Sequence, residues 1–344
     1  MKPLRFTLTA LGIFAALGTI YLGIFSWSLQ QPVWPYHWLR NVYLVKEQLA
    51  AEAPTPRCVI LGGSSAWFGF ESGILEKALG QRVINLGTHA EVPLEFQLWQ
   101  AERLARHGDT VLLADELGYY WPHEHPYTTY AATEVVMMAP EFWRQISLRE
   151  KYELLVAVPP VRVVSGIASW SARNSKSYAD RLALPTSARL MENLRAKWAG
   201  TFTGVIPAHY NYLEIDAHGD NVRPRVQAEH THEDYGLSIA HPEAPEVWRR
   251  LTEFARTMQA RGVRCVVTWP PFERHAGFDP TSAQARANFD FLKSRLTTSG
   301  WQVIGEPEDV AMTSEFFYDT PYHLTTEGAR RRTEQLAVRW PRAN

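Results

Sequence analysis

Three residue types in this chain could together perform acyl transfer through a serine. A carboxylate and an imidazole stand close together near the C-terminus, in Phe316-Phe317-Tyr318-Asp319-Thr320-Pro321-Tyr322-His323-Leu324-Thr325-Thr326-Glu327-Gly328. Far upstream, Val59-Ile60-Leu61-Gly62-Gly63-Ser64-Ser65 places a serine at the end of an apolar run. Serine chemistry needs an exposed hydroxyl, an imidazole that takes its proton, and a carboxylate that orients the imidazole. Ser64 is the candidate nucleophile, with Ser65 as its competitor. His323 is the candidate base and Asp319 the orienting group. Gly62 and Gly63 allow a tight turn and close approach of backbone to substrate, and the amides that follow could stabilise an oxyanion. Each motif alone has a plainer reading: a polar turn after a strand, or a surface loop leading into a helix cap. Their joint presence, in the strand order that follows, selects the triad reading.

The elements that must position these residues alternate. A short apolar strand at 58–61 is followed by a helix at 72–79, stopped by Gly80, and a strand at 82–86. A long helix with Pro93 in its first turn reaches about residue 106, His107-Gly108 closes it, and a third strand covers 109–114. The rhythm resumes with a helix at 246–260 ended by Gly262. A strand at 263–269 is broken by Pro270-Pro271; then come a helix at 281–299, a strand at 301–304 and a final helix at 326–340. Thr325 is positioned to cap that helix, and Glu327 complements its dipole. Ala329, Thr333, Leu336, Ala337 and Trp340 share its inner face. Such β-α-β units with short loops predict right-handed parallel crossovers. The expected fold is α/β, a flavodoxin-like three-layer α/β/α arrangement with a parallel sheet of about five strands. Ligands of such sheets bind beyond the carboxyl ends of the strands. Ser64 sits there after the first strand, Asn85-Leu86-Gly87-Thr88-His89-Ala90 after the second, and Asp319 with His323 after the last. Residues 120–242 fit no such rhythm. They contain helical stretches at 140–156 and 187–199 and a hairpin turn at Ala217-His218-Gly219-Asp220, and read as a long insertion at the catalytic edge.

The formal net charge is −1, which argues against a nucleic-acid partner. The 13 Trp and 14 Tyr are mostly core and interface anchors, though such rings also line sugar clefts and membrane interfaces. Residues 6–29 carry no charge, long enough to span about 30 Å of hydrocarbon as a helix. Lys2 and Arg5 precede the segment, which orients the N-terminus to the cytoplasm, and Trp27, Trp34, Tyr36 and Trp38 follow as an interfacial belt. A cleavable signal peptide is the rival reading; the length and the lack of an Ala-x-Ala site favour an uncleaved anchor. The expected division is an anchor at 1–30, a connector at 31–56, and a catalytic domain at 57–344 interrupted at about 120–242. The expected location is the inner (cytoplasmic) membrane, single-pass, with the body periplasmic or extracellular. Cys58 and Cys265 lie in apolar strand patterns and read as buried free thiols, although a disulfide is chemically open outside the cytoplasm.

Other candidates carry weaker signals. His123-Glu124-His125 and His230-Thr231-His232-Glu233-Asp234 contain metal-ligating types but not the His-Glu-x-x-His helical spacing. They read as solvated loops, and no metal and no cofactor are expected. His89 could contact substrate or be a satisfied structural histidine. Asp115 and Glu116 end the third strand at the catalytic edge and could orient substrate or tune the imidazole. Arg330, Arg331 and Arg332 read as a solvated helix face.

The serine after the first strand, the Asn85–Ala90 block after the second and the Asp–His pair before the last helix resemble the SGNH, or GDSL-like, hydrolase superfamily. The resemblance covers about residues 57–120 and 245–340. With the anchor and the Gly-Gly-Ser-Ser start, it is similar to the membrane-tethered branch that includes the alginate O-acetylation proteins and the teichoic-acid D-alanylation protein. It implies an extracytoplasmic O-acyltransferase or esterase acting on an envelope polysaccharide, beside a membrane-embedded acyl-carrying partner. By position it implies Ser64, His323 and Asp319 as the triad, with Gly63, Ser65, Gly87, His89, Ala90 and Glu116 as oxyanion or substrate candidates. The chain departs from the family pattern in four places. Gly63 replaces the Asp of Gly-Asp-Ser, Ala90 stands where the second-block glycine is usual, and Ala114-Asp115-Glu116-Leu117 replaces the Asn block. The Asp-to-His spacing is one residue longer. These departures sustain a second reading, a non-catalytic polysaccharide-binding or assembly subunit.

Overall fold

The computed structural model describes residues 2–31, 33, 37–122, 135, 138–175, 185–206 and 210–340. The chain forms two compact units, Met1–Arg40 with His125–Pro185, and Asn41–Glu124 with Thr186–Asn344. The first half of the 120–242 insertion groups with the N-terminal helix, and residues 41–56 group with the α/β unit.

Helix α1 (Lys2–Leu29) is continuous, and its 4–29 stretch is long and apolar enough to cross a membrane. Phe6, Leu11, Phe14, Leu17 and Ile20 project from it without burial, as a lipid-facing helix requires. Trp34 and Tyr36 of the expected belt lie outside the described residues. Helix α2 (His37–Glu52) follows. Strand β1 (Arg57–Leu61) leads into the short helix α3 (Ser64–Trp67), then α4 (Ser72–Leu79) and β2 (Arg82–Asn85). Gly80 stops α4 at φ +66°, a left-handed position that glycine takes without steric cost. Helix α5 (Leu94–Leu104) and β3 (Thr110–Leu113) complete the first half.

Three helices, α6 (Pro140–Gln145), α7 (Leu148–Ala157) and α8 (Pro160–Ser171), belong to the first unit. A single helix over 140–156 was expected. Ser147 breaks it, because its hydroxyl and the Glu150 carboxylate close a reciprocal capping box that starts α7. Helix α8 packs on α1. The Arg162 guanidinium donates to the Ser28, Leu29 and Gln31 carbonyls at 3.0–3.2 Å, a cation on the open carbonyls of a helix C-terminus. The α7–α8 pair, bent by 87°, also meets the length and composition for a broken span, and Leu148, Tyr152, Val161 and Val164 are exposed along it.

The second half of the α/β unit comprises α9 (Ser187–Trp198), α10 (Pro245–Ala260), β4 (Arg264–Thr268), β5 (Phe272–Glu273), α11 (Ala283–Thr298), β6 (Gln302–Ile304), β7 (Ala311–Met312) and α12 (Thr326–Arg339). The main sheet has the order β2-β1-β3-β4-β6, all neighbours parallel; β5 and β7 pair separately. The hairpin turn at 217–220 forms, with an antiparallel bridge from Ile215 to Asn221 and Gly219 at φ +92°. One core cluster joins Cys58, Ile60, Leu75, Val83, Leu112, Val266 and Ile304 to Leu336 and Trp340, so α4 and α12 seal the sheet. The Thr325 hydroxyl caps α12 through Gly328 N–H at 3.1 Å, a bond worth about 1 kcal/mol. Cys58 and Cys265 are free, buried thiols. At the amino end of the sheet, Arg57 and Asp109 form a fully buried ion pair at 3.0 Å. The candidate site residues Ser64, Glu116, Asp319 and His323 gather at the carboxyl end.

Candidate active site

The strand order places the chain's reversal between β1 and β3, since the chain runs from β1 out to β2 and returns beyond β1. Side chains following β1 and β3 therefore meet at the carboxyl edge. Ser64 opens α3 directly after β1, and Glu116 follows β3. The turn between them is tight. A Cβ on Gly62 would lie 2.6 Å from Ala66 Cβ, and one on Gly63 would lie 2.5 Å from Glu116 Oε2 and 2.9 Å from Ala90 Cα. A side chain at position 63 would therefore collide with Glu116 and with the Ala90 backbone. Glu116 already fills that space with a carboxylate, and its Oε1 accepts the Ser65 N–H at 2.8 Å.

Ser64 and Ser65 separate clearly. Ser65 is fully buried, its hydroxyl donates to Ala114 O at 3.4 Å, and its carbonyl accepts from Arg332 at 3.1 Å. Its groups are committed to structure. Ser64 retains 9% exposure, and its hydroxyl has no hydrogen-bond partner among the described residues.

His323 and Asp319 are brought together by a turn. The Thr320 hydroxyl accepts from Tyr322 N at 3.2 Å and His323 N at 3.1 Å, and the bridge between Phe317 and Leu324 closes the loop. The turn spans the four-residue separation of Asp319 from His323. His323 Nδ1–H donates to Asp319 Oδ1 at 2.7 Å, and Tyr210 O–H donates to Asp319 Oδ2 at 2.7 Å. Burial of Asp319 acts to raise its pKa, but the bonds from His323 and Tyr210 outweigh it and hold the carboxyl below its usual value. Tyr210 is itself pushed up by burial and by this bond. The imidazole stacks on Phe68 at 4.4 Å between ring centres. Phe68 lies one turn beyond Ser64, and its N–H bonds to Ser64 O at 2.9 Å. The ring that fixes the imidazole and the candidate nucleophile therefore belong to one helical turn. No hydrogen bond joins Ser64 Oγ to His323, whose Nε2 has no partner among the described residues. Catalytic bonds of this type are often long without substrate.

The remaining candidates sort by what their atoms touch. The Gly87 N–H is taken by Asn85 Oδ1 at 2.8 Å, and a Cβ there would lie 2.7 Å from Ala66 Cβ and from Trp67 N. It is a close-packing glycine and not a free donor. Its carbonyl accepts from the buried Lys46 ammonium, whose pKa burial lowers to about 7 against the opposing charges of Asp220 and Asp216. The backbone N–H groups of Ser64 and Ala90 have no intramolecular acceptor among the described residues. His89 Nδ1 accepts from Glu91 N at 3.1 Å. Burial lowers the His89 pKa, the charge of Glu91 opposes this and that of His323 adds to it. Asp115 is fully buried. Burial, reinforced by the charge of Glu116, raises it well above the carboxylate range, and Gln97 and the Gly63 amide only partly offset this.

Two sequence expectations are corrected. Arg332 is not on a solvated face: it is 1% exposed, donates to Ser65 O and to Trp269 O at 2.9 Å, and lies 4.2 Å over the Phe70 ring. Burial lowers its pKa to about 9. His230 is not solvated either, since its side chain is 3% exposed against Glu273. His123-Glu124-His125 lie outside the described residues. Tyr210 was not foreseen, because 109 positions separate it from Asp319 and nothing local marks it. Phe68 had a usable signal, its i+4 spacing from Ser64.

A cleft of about 500 Å³ is lined by Gly118, Trp121, His232, Glu233, Asp234, Tyr235, Gly236 and Tyr322. It flanks the Asp319–His323 loop through Tyr322 and does not contain Ser64, His323 or Asp319. No protein-family model, curated protein or solved structure matches the chain.

Proposed function

We propose that this chain is a membrane-anchored, SGNH-like O-acyltransferase or esterase that acts on a cell-envelope polysaccharide. The observation that carries the reading is the Asp319–His323 hydrogen bond, with the imidazole stacked on the helical turn that begins at Ser64. The strand order and the packing of α4 with α12 support flavodoxin-like α/β/α layering around it. In the proposed reaction Ser64 Oγ attacks an acyl ester carbonyl while His323 Nε2 takes the hydroxyl proton. Asp319, held by Tyr210, fixes the imidazole through Nδ1–H. The Ser64 and Ala90 amides receive the oxyanion. The tetrahedral centre collapses, the C–O bond to the donor alcohol breaks, and that alcohol leaves with the proton from His323. A sugar hydroxyl, or water, then attacks the acyl-serine by the reverse sequence. No further cofactor enters these steps.

The membrane setting rests on α1 and on Lys2 and Arg5 before its apolar run, which orient the body outside the cytoplasm. The bilayer then concentrates a membrane-embedded acyl carrier near the site. Trp121, Tyr235 and Tyr322 in the neighbouring cleft supply the aromatic lining that suits a glycan acceptor. The missing Asn block, together with the absence of a bond from Ser64 to His323, favours a second reading, a non-catalytic binding or assembly subunit. Turnover of p-nitrophenyl acetate and of acyl donor plus candidate glycans, by the full chain in detergent, decides between them. Ser64→Ala and His323→Ala are expected to lose on the order of 10³–10⁶ in rate while remaining folded. Unchanged turnover, or unchanged polymer modification in cells, would reject the triad. Protease digestion of the body in intact spheroplasts checks the orientation, and protection would reverse it.

A further inference from the structure

The geometry points to a divalent transition-metal site, suited first to zinc, formed by His230, His232 and Glu273. This assignment is independent of the acyl-transfer reading. His230 Nε2 lies 3.1 Å from Glu273 Oε2, and His232 Nδ1 lies 2.8 Å from the same oxygen. All three ligand atoms fall within 4.8 Å of one another. Ligand arms of about 2.1 Å, opening at about 85–110°, separate donor atoms by about 2.8–3.4 Å, so the cluster has the size of a coordination shell.

The hydrogen bonding around it argues for a cation. His230 Nδ1 lies 3.0 Å from Ala228 O. A carbonyl only accepts, so Nδ1 carries the hydrogen, and in the neutral ring Nε2 presents its lone pair to the Glu273 carboxylate. Two lone pairs facing each other repel unless a metal ion or a second ring proton lies between them. A backbone carbonyl that fixes the tautomer of a ligating histidine is the usual support around a metal. Glu273 is fully buried, and its only ion-pair partners among the described residues are these two histidines. A buried carboxylate needs compensation, and no lysine or arginine supplies it here. The Ser314 hydroxyl holds its other oxygen, Oε1, which orients the carboxylate. The third nearby ring, His275, is already committed, with Nε2–H on Glu233 O at 2.9 Å and Nδ1 accepting from Gly277 N at 3.1 Å. Two imidazoles and one carboxylate form a ligand set that zinc takes readily, with a further position left for solvent. His232 also lines the 500 Å³ cleft, so that position has access to solvent.

The ion would fasten the 225–235 segment against the loop that carries Asp319 and His323. Ala228 N–H already bonds to Tyr318 O at 2.8 Å, Tyr235 O–H to Pro321 O at 2.9 Å, and Glu273 N–H to Tyr235 OH at 2.8 Å. The test uses the full chain in detergent, stripped with a chelator, dialysed against Zn²⁺ and assayed by elemental analysis and by competition with a fluorescent zinc indicator. One equivalent is expected for wild type, with a rise in thermal midpoint on addition of Zn²⁺. His232→Ala, at a half-exposed position that leaves the fold intact, and the isosteric Glu273→Gln are each expected to weaken binding about 100-fold or more and to abolish the thermal rise. Ser314→Ala, which only orients the carboxylate, is expected to weaken it about 10-fold. No zinc uptake by wild type would overturn the proposal and leave a proton-held histidine–glutamate cluster. Uptake unchanged in His232→Ala and Glu273→Gln would place the ion elsewhere and overturn it equally.

Discussion

Gly63→Asp would set a second carboxylate beside Glu116, and the packing there should make it harm the protein. The Cβ of any residue at position 63 would lie 2.5 and 2.8 Å from the two Glu116 oxygens and 2.9 Å from Ala90 Cα. The Glu116 side chain is held by the Ser65 N–H, and Ala90 is backbone, so neither yields cheaply. Overpacking of this kind costs about 1–3 kcal/mol. A second carboxylate within about 4 Å of Glu116, at an effective dielectric constant near 20, adds roughly 4 kcal/mol of repulsion before protonation relieves part of it. The sum, about 3–6 kcal/mol, is a large share of the ~5–15 kcal/mol that stabilises a typical fold. At about 2–4 °C per kcal/mol, the thermal midpoint should fall by roughly 6–24 °C. Gly63→Ala isolates the steric part and should cost about 1–3 kcal/mol. The double variant Gly63→Asp/Glu116→Ala removes the obstruction and offers a new carboxylate to the Ser65 amide, so it should be more stable than the sum of the single changes by over about 1 kcal/mol. Thermal unfolding by fluorimetry and circular dichroism on the full chain in detergent measures wild type, Gly63→Ala, Gly63→Asp, Glu116→Ala and the double variant. A Gly63→Asp protein within 2 °C of wild type (roughly the shift from half a kcal/mol), or strictly additive energies, would refute the claim that Glu116 fills the space beside position 63.

Two further predictions concern buried charge. Arg332→Ala strips two donors from the Ser65 and Trp269 carbonyls and opens a cavity beside Phe70, so it should cost about 2–5 kcal/mol, whereas its exposed neighbour, in Arg331→Ala, should stay within about 0.5 kcal/mol; equal effects in urea titrations would return Arg332 to the solvated face. Asp115 has a raised folded-state pKa, so its contribution to stability is full below the unfolded value near pH 3.9 and drains away as pH rises toward the folded value. Asp115→Asn should therefore raise the thermal midpoint at pH 8 and leave it nearly unchanged at pH 4, and an equal shift at both pH values would contradict the assignment.

Local chemistry made much of this protein legible in its sequence. Apolar runs of strand length, a glycine such as Gly80 that only a left-handed turn requires, and Thr325 ahead of a helix each act within a few residues. They set the alternation of strands and helices, and with it the placement of Ser64 and of the Asp319–His323 loop beyond strand ends. The apolar length of α1 was equally readable, because spanning hydrocarbon depends on one segment alone. What tertiary structure decided depends on groups distant in the chain. Ser64 and Ser65 are adjacent and chemically identical; only the packing of Ala114, Glu116 and Arg332 around Ser65 separates them. Arg332 looks like its two neighbours until the helix is laid on the sheet and its guanidinium meets Ser65 and Trp269. Tyr210 reaches Asp319, and Glu273 reaches His230 and His232, across long loops with no periodicity. The insertion divides between two units because Arg162 and its helix pair with the carbonyls that end α1, a match that neither segment announces by itself. Backbone propensity and capping are short-range and leave marks in sequence; burial, charge compensation and close approach belong to the assembled fold.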